Sequence, residues 1–271
     1  MTRAQFLRLA AAAAVSASVP AGRAQTGGDF SMQRRAIPSS GELLPVIGCG
    51  TWRGFDVRAG QREGLGEVLR ILFDAGGSVI DSSPMYGAAE AAVGELLTAM
   101  NARDNAFLAT KVWTRGRDAG TRQMQESFRL LNSDVIDLLQ VHNLLDYRTH
   151  LETLREWKAE GRVRYIGVTH YTDSAHDELE TIMRNESIDF VQLNYALDDR
   201  GAEDRLLPLA VERGIAVLVN RPFGGGDLLR RLGRRALPPW AAELGCTSWA
   251  QVLLKFILAH PAVSCVIPGT G

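Results

Sequence analysis

The chain has 271 residues, of which 46% are hydrophobic and 23% charged, and its formal net charge is −1 at pH 7. This composition is ordinary for a globular protein and excludes disordered, collagen-like and coiled-coil chains, while the near-neutral charge argues against a nucleic-acid partner. Three cysteines are too few for a disulfide framework and lack metal-site spacing, and no apolar run reaches the roughly 18 residues of a membrane-spanning helix.

Residues 1–24 have the pattern of an export signal peptide. Arg3 and Arg8 form a positive start, an uncharged alanine-rich stretch follows, and small residues permit cleavage near Ala21 or Ala24. The opening is twin-arginine-like, although Ala4 stands where the second arginine belongs. We therefore expect export, to the periplasm in a bacterial cell. The alternative is an amphipathic tail on a cytoplasmic protein.

After a short linker, residues 25–31, the remainder is predicted to form a single domain, residues 32–271. Eight short apolar runs alternate there with segments of helical periodicity. The runs cover residues 46–50, 78–81, 107–111, 137–142, 163–168, 189–193, 215–220 and 263–267. Strands that alternate with helices indicate parallel pairing, and eight such units predict an α/β fold of the closed (β/α)8 type, the TIM barrel.

Two features lie outside the eight repeating units. Residues 32–37 and 42–44 flank a Pro-Ser-Ser-Gly turn and predict an N-terminal β-hairpin over the bottom of the barrel. Only residues 268–271 follow the eighth run, so we expect the final helix of a complete barrel to be missing. Either the chain is truncated, or another element covers that seam. An open doubly wound sheet is the alternative fold, but its glycine fingerprint is absent after the first run.

Polar side chains end three consecutive runs. Asp81, Lys111 and His142 end the second, third and fourth runs, and Tyr86 follows five residues after Asp81. Because catalytic groups of such barrels lie at the carboxyl ends of the strands, we expect these four side chains to lie together. Buried charges are costly unless they are paired, so this placement requires an explanation.

These residue types suit proton transfer to a reacting oxygen. A free phenol has a pKa of about 10, and an ammonium group beside Tyr86 is expected to lower that pKa. The carboxylate of Asp81 would keep Lys111 charged, and the imidazole of His142 would either donate a hydrogen bond or help to transfer the proton. The structural alternative is a buried Asp–Lys pair that only neutralises itself, with Tyr86 as a packing aromatic.

The chain resembles the aldo-keto reductase superfamily in six segments that occur in register. They are VIDSSPMYG at 79–87, LATK at 108–111, DLLQVH at 137–142, YIGVTH at 165–170, FVQLN at 190–194 and VIPGT at 266–270. The resemblance implies an NADPH-dependent oxidoreductase that reduces a small aldehyde or ketone, with Tyr86 as general acid assisted by Lys111, Asp81 and His142. NADH is not excluded, because the segment that usually grips the 2′-phosphate is missing after the eighth run.

The resemblance also implies which residues bind the small molecules. Cofactor-binding residues would be Gly50, Thr51, Trp52, Asp81, Thr169, His170, Gln192, Asn220, Arg221, Pro222, Phe223 and Gly224. The substrate pocket would consist of Trp52, Tyr86, Trp113 and His142, although Trp113 could instead be packing at the rim. Asn220 replaces an aromatic residue that in many members stacks on the nicotinamide, and His170 replaces the usual asparagine.

The sequence alone leaves four further points open. The expected partner is a small carbonyl substrate, with neither nucleic acid nor a membrane after signal cleavage; the sequence leaves the oligomeric state open. The alternative function is a non-catalytic nicotinamide-binding regulatory or partner module on the same barrel. Arg230 and Arg231 either approach the cofactor phosphates or form a solvated helix face. Cys49 and Cys265 are either bonded to each other or, as their apolar runs favour, two buried thiols.

Overall fold

A computed structural model describes residues 32–269, so the predicted export signal at residues 1–24 and the linker lie outside the described residues. The strands are β1 (Arg34–Ala36), β2 (Leu43–Pro45), β3 (Cys49–Gly50), β4 (Val79–Asp81), β5 (Phe107–Val112), β6 (Ile136–His142), β7 (Val163–Thr169), β8 (Phe190–Asn194), β9 (Ala216–Asn220) and β10 (Val263–Val266). The α-helices are α1 (Glu63–Asp74), α2 (Ala89–Ala99), α3 (Arg117–Leu131), α4 (Tyr147–Ala159), α5 (His176–Asn185), α6 (Leu206–Arg213), α7 (Asp227–Leu232), α8 (Trp240–Glu243) and α9 (Trp249–Leu258).

The eight strands β3 to β10 form one parallel sheet in chain order. Its first and last strands also meet, because the amide of Gly48 donates to the carbonyl of Val266 and the amide of Gly50 donates to that of Pro268, both at 2.9 Å. The sheet therefore closes on itself, and the predicted (β/α)8 barrel is confirmed. No helix follows β10 up to residue 269, where the described part of the chain ends.

The N-terminal hairpin plugs the bottom of this barrel. Strands β1 and β2 pair antiparallel, and Ile37 and Leu44 are buried among the side chains that fill the barrel interior. Those interior side chains are Val79, Phe107, Ala109, Leu138, Tyr165, Phe190, Ala216, Leu218, Cys265 and Ile267. The hydroxyl of Tyr165 donates to Glu42 at 2.6 Å, which ties the hairpin to the barrel wall. The predicted hairpin is therefore confirmed.

The barrel interior is layered, and this layering positions the polar strand ends. Side chains two residues apart on a strand face the same way, so Asp81 faces the interior like Val79, and Lys111 faces it like Phe107 and Ala109. The lower layer is apolar and close-packed. The polar side chains at the carboxyl ends of the strands thus rest on a rigid apolar floor.

A second, larger core lies between the barrel and the surrounding helices. It contains the buried apolar faces of the helices, such as Leu69 of α1, Val93 of α2 and Met124 of α3. Gly94 permits the close approach of α2 and α3, since a Cβ atom there would lie 2.1 Å from the carbonyl oxygen of Leu130. In the described residues, no helix is long and apolar enough to cross a membrane.

The plug makes a testable contribution to stability. Leu44 is 1% exposed, whereas its neighbour Leu43 is 59% exposed on the same hairpin. Leu44→Ala should lower the free energy of unfolding by about 2–5 kcal/mol, the range of buried leucine truncations. Leu43→Ala should change it by about 0.5 kcal/mol or less. Urea denaturation of both variants measures this, and equal losses would show that the hairpin does not seal the core.

Candidate active site

The predicted polar cluster assembles around a buried lysine. Lys111 is fully buried and donates hydrogen bonds to Asp81 Oδ2 at 2.6 Å and to the carbonyl oxygen of Ser82 at 2.7 Å. Asp81 is itself 2% exposed. Adjacent strand ends thus hold an ion pair inside the barrel, where each charge depends on the other for compensation.

Tyr86 and His142 lie next to this pair. Lys111 Nζ lies 5.2 Å from the ring centroid of Tyr86. The rings of Tyr86 and His142 meet edge to face, with centroids 5.8 Å apart. The structure therefore brings together all four side chains that the strand ends and the following loop predicted.

The turn that carries Tyr86 is held by a residue that the sequence analysis missed. The carboxylate of Asp56 accepts the backbone amide of Ala88 at 2.9 Å, at the start of α2. Gly87, between Tyr86 and Ala88, has φ of +60°, and a Cβ atom there would lie 2.2 Å from Asp56 Oδ1. Glycine is thus required at this point of the turn. By binding the amide of Ala88, Asp56 helps to fix the conformation of the turn that carries Tyr86.

The electrostatics keep Lys111 charged. Burial lowers the pKa of an ammonium group, but the charge and hydrogen bond of Asp81, together with Tyr86 and Glu90, outweigh burial and raise the pKa of Lys111 above its usual value. A permanent positive charge therefore lies beside the phenol.

The pKa of Tyr86 itself differs from the expectation. Burial raises the pKa of the phenol above its usual value, Lys111 pulls it down and Asp81 pushes it up, so that the net direction is upward. The sequence predicted the effect of Lys111 correctly in sign. It gave the wrong net direction, because the extent to which the phenol loses water depends on its tertiary burial.

His142 is a neutral imidazole. Burial and the nearby charge of Lys111 lower its pKa to about 2. Its Nδ1 lies 2.9 Å from the hydroxyl oxygen of Ser83, and the ring of Trp113 lies 6.5 Å away, centroid to centroid. A group that stays neutral across physiological pH can donate a hydrogen bond to a carbonyl oxygen, but it cannot supply the proton as an imidazolium.

Two glutamine side chains support Asp81 from inside the barrel. Gln192 Nε2 donates to Asp81 Oδ1 at 2.9 Å, and Gln140 Nε2 approaches the same oxygen at 3.3 Å. Thr169 in turn donates its hydroxyl to Gln192 Oε1 at 3.0 Å. Gln140 was missed by the sequence analysis, although it lies two residues before His142 on β6 and therefore faces the same side.

Large apolar side chains surround the opening above the tetrad of Asp81, Tyr86, Lys111 and His142. Trp52, Met85 and Trp113 are 50%, 40% and 41% exposed, on the loops that follow β3, β4 and β5. Gln123 of α3 fixes Trp113 by accepting from its backbone amide at 2.6 Å and donating to its carbonyl at 3.2 Å. Trp113 therefore lies beside His142, directly after β5.

The first loop of the barrel contributes structure as well as surface. Thr51 is fully buried; its hydroxyl donates its one hydrogen to the Asp81 carbonyl oxygen at 3.0 Å, and the Ser82 hydroxyl lies at the same distance. A Cβ atom at Gly50 would lie 3.0 Å from the carbonyl oxygen of Ile267. Gly50 is thus needed where the barrel closes.

The loops after β7 and β9 form the opposite side of the opening. Asn220 Nδ2 donates to the carbonyl of His170 at 3.2 Å, and the His170 ring stacks on Tyr171 with centroids 5.4 Å apart. Arg221, with φ of +50°, donates to the carbonyl of Tyr171 at 3.3 Å. Pro222, Phe223 and Gly224 follow directly on this loop.

This side of the opening fits a dinucleotide phosphate. Among residues 32–269, the charge of Arg221 has no carboxylate partner. The three glycines at 224–226 that follow all have positive φ, and nothing lies within 4 Å of a Cβ atom built at Gly226. A guanidinium without a carboxylate partner, beside a turn whose glycines leave room for a close approach, suits an anion. Arg230 and Arg231 pair instead with Asp227 and Asp198, which favours the solvated-face interpretation.

The chain belongs to the aldo/keto reductase family, whose family model matches residues 46–271. It is 32% identical over 244 residues to the methylglyoxal reductase YeaE of Escherichia coli K12, covering 87% of this chain and 84% of that protein. It is 30% identical over 258 residues to an NADH-specific methylglyoxal reductase of the same organism, covering 83% of this chain and 78% of that protein. An aldo/keto reductase from Klebsiella pneumoniae, solved with NADP and acetate, superposes with a TM-score of 0.75 at 28% identity, over 88% and 85% of the two chains.

The neutral His142 predicts a pH dependence of stability. Its folded pKa of about 2 lies below the value near 6.5 of an unfolded histidine, so that acidification protonates the unfolded chain preferentially. The stabilisation is therefore present at pH 7 and is lost as the pH falls below about 6.5. Between pH 7 and pH 5 the free energy of unfolding of the wild type should fall by about 2 kcal/mol more than that of His142→Asn. Urea denaturation at both pH values measures the difference, and identical pH dependence in the two proteins would contradict it.

Proposed function

We propose that this protein reduces the carbonyl group of a small aldehyde or ketone with NADPH, and that Tyr86 donates the proton to the carbonyl oxygen. The position of the buried, charged Lys111 Nζ, 5.2 Å from the Tyr86 ring centroid, is the observation that carries this proposal. When bound, NADPH supplies the hydride. NADH is the second hydride donor to assay, because one relative is named as NADH-specific.

Each of the four tetrad side chains has a separate role in this proposed reaction. Tyr86 gives up its proton as negative charge develops on the substrate oxygen, and Lys111 stabilises the phenolate that this leaves. Asp81 holds Lys111 in place. His142, neutral and buried, donates a hydrogen bond to the same substrate oxygen, which orients the carbonyl group before proton transfer.

The cofactor would lie across the loops after β7 and β9. Arg221 and the glycines of residues 224–226 would hold its phosphates. Thr169, His170 and Gln192 would face the nicotinamide amide, while Asn220 offers an amide where an aromatic ring is usual. Because Gln192 also donates to Asp81, and Thr169 donates to Gln192, contacts with the cofactor would influence the position of Asp81.

Small aldehydes are the proposed substrate class. Trp52, Met85 and Trp113 form an apolar rim, which favours an uncharged substrate. Two relatives in Escherichia coli are named as methylglyoxal reductases, so methylglyoxal is the first substrate to assay.

We also propose that residues 1–24 direct export to the periplasm. The support is the composition of this segment, with its basic start, alanine-rich centre and small residues before Ala24. Mass spectrometry of the protein recovered from the periplasm tests this, because cleavage predicts a mature chain that begins near Gln25. An intact N-terminus in the cytoplasmic fraction alone would contradict export.

Tyr86→Phe tests the proposed function. Removing the phenolic proton should lower kcat with methylglyoxal by roughly 100-fold to 10,000-fold, the range for a lost general acid. NADPH binding, measured by fluorescence titration, should change by less than about twofold, since the phenol is not proposed to bind the cofactor. Tyr147→Phe, on α4, is the matched control and should keep wild-type turnover.

The same measurements distinguish the proposed reductase from the alternative function. A non-catalytic nicotinamide-binding module would bind NADPH in the wild type, yet turn over neither methylglyoxal nor any carbonyl in a broad panel. Full activity of Tyr86→Phe would instead exclude Tyr86 as the acid.

A further inference from the structure

A serine that the proposed mechanism does not use contacts the tetrad directly. Ser83 lies two residues after β4 and is fully buried, and its Oγ lies 2.9 Å from His142 Nδ1. Its carbonyl oxygen accepts the backbone amide of Tyr86 at 2.9 Å. One residue therefore holds both the turn that carries the phenol and the ring that lies against it.

The hydrogen-bond inventory of Ser83 fixes the direction of its contact with His142. The hydroxyl has one hydrogen to donate and accepts the backbone amide of Met85 at 3.4 Å. Among the described residues, His142 Nδ1 is the only acceptor within reach of that hydrogen. If Nδ1 carried the proton instead, the hydroxyl hydrogen would be buried without an acceptor, which is unfavourable. Donation from Ser83 to an unprotonated Nδ1 is therefore favoured.

We propose that Ser83 is a positioning residue that holds His142 in the tautomer with its hydrogen on Nε2. The catalytic meaning of this inference rests on the proposed function, whereas the tautomer itself does not. His142 Nε2 has no hydrogen-bond partner within residues 32–269 and is not sealed from the surface. Its hydrogen is thus available to the substrate oxygen.

The opposite tautomer would work against the reaction. With the hydrogen on Nδ1, His142 Nε2 would present a lone pair to the carbonyl oxygen, and two acceptors would face each other. The doubly protonated ring is excluded over the working pH range, because burial and Lys111 hold the pKa of His142 at about 2. The Ser83 hydroxyl therefore decides whether the imidazole attracts or repels the substrate oxygen.

The tautomer can be observed without any substrate. In protein labelled with ¹⁵N-histidine, the chemical shifts of the two ring nitrogens show which one carries the hydrogen, and His142→Asn assigns the signals. The wild type should show His142 protonated on Nε2, and Ser83→Ala should show a mixture of tautomers. Ser127→Ala removes another fully buried serine hydroxyl, on α3, and should leave the His142 signals unchanged.

Steady-state kinetics test whether the Ser83–His142 hydrogen bond affects carbonyl reduction. Ser83→Ala should lower kcat/KM for methylglyoxal about tenfold, as expected for one misdirected hydrogen bond, with NADPH affinity unchanged. In a His142→Ala background the same substitution should have no further effect, because Ser83 acts through the imidazole. A merely structural role would instead reduce activity in both backgrounds.

The outcomes separate this inference from the proposed function. Hydrogen on Nδ1 in the wild type, or an unchanged tautomer in Ser83→Ala, would overturn the role of Ser83, and the wild-type spectrum alone decides the first point if the variant does not fold. A wild type that reduces no carbonyl would contradict the proposed function while leaving the spectroscopic result valid.

Discussion

The buried ion pair of Lys111 and Asp81 is the constraint on which the rest of the site depends. Two charges taken out of water require good geometry and further hydrogen bonds to be stable. The Ser82 carbonyl supplies one such bond to the lysine, and Gln192 and Gln140 supply amide hydrogens to the carboxylate. Each of these groups occupies a fixed place on a strand or directly after one, so that the ion pair ties the strand ends together over the apolar floor of the barrel.

The single charge of Lys111 acts on its two neighbours in different ways. It pulls the pKa of the Tyr86 phenol down, against the opposing effect of burial, and it adds to the effect of burial in lowering the pKa of His142. The phenol is thereby made a better acid than burial alone would leave it, while the imidazole is kept neutral. In the proposed function, this one cation would favour proton donation by Tyr86 and hydrogen bonding by a neutral His142.

Much of the architecture was predictable because strands and helices leave periodic patterns. The eight apolar runs gave the barrel, and the polar residues at their ends gave Asp81, Lys111 and His142. Asp56, Gln140 and Ser83 were missed, since their roles come from contacts between loops and strands distant in the chain. Gln140 alone left a signal, its spacing of two from His142. The net rise in the pKa of Tyr86 could not be predicted from the sequence, because it depends on how far the folded protein excludes water from the phenol.

The effect of Lys111 on the acidity of Tyr86 is the central claim, and it can be measured directly. Titration of ¹³C-labelled tyrosine rings by NMR would give the pKa of Tyr86 in the wild type and in Lys111→Met. Lys158→Met is the matched control, because Lys158 also pairs with an aspartate at 2.6 Å, but on the outside of the barrel. Tyr86 should titrate at higher pH in Lys111→Met than in the wild type and Lys158→Met. The same pKa in all three proteins would contradict the account.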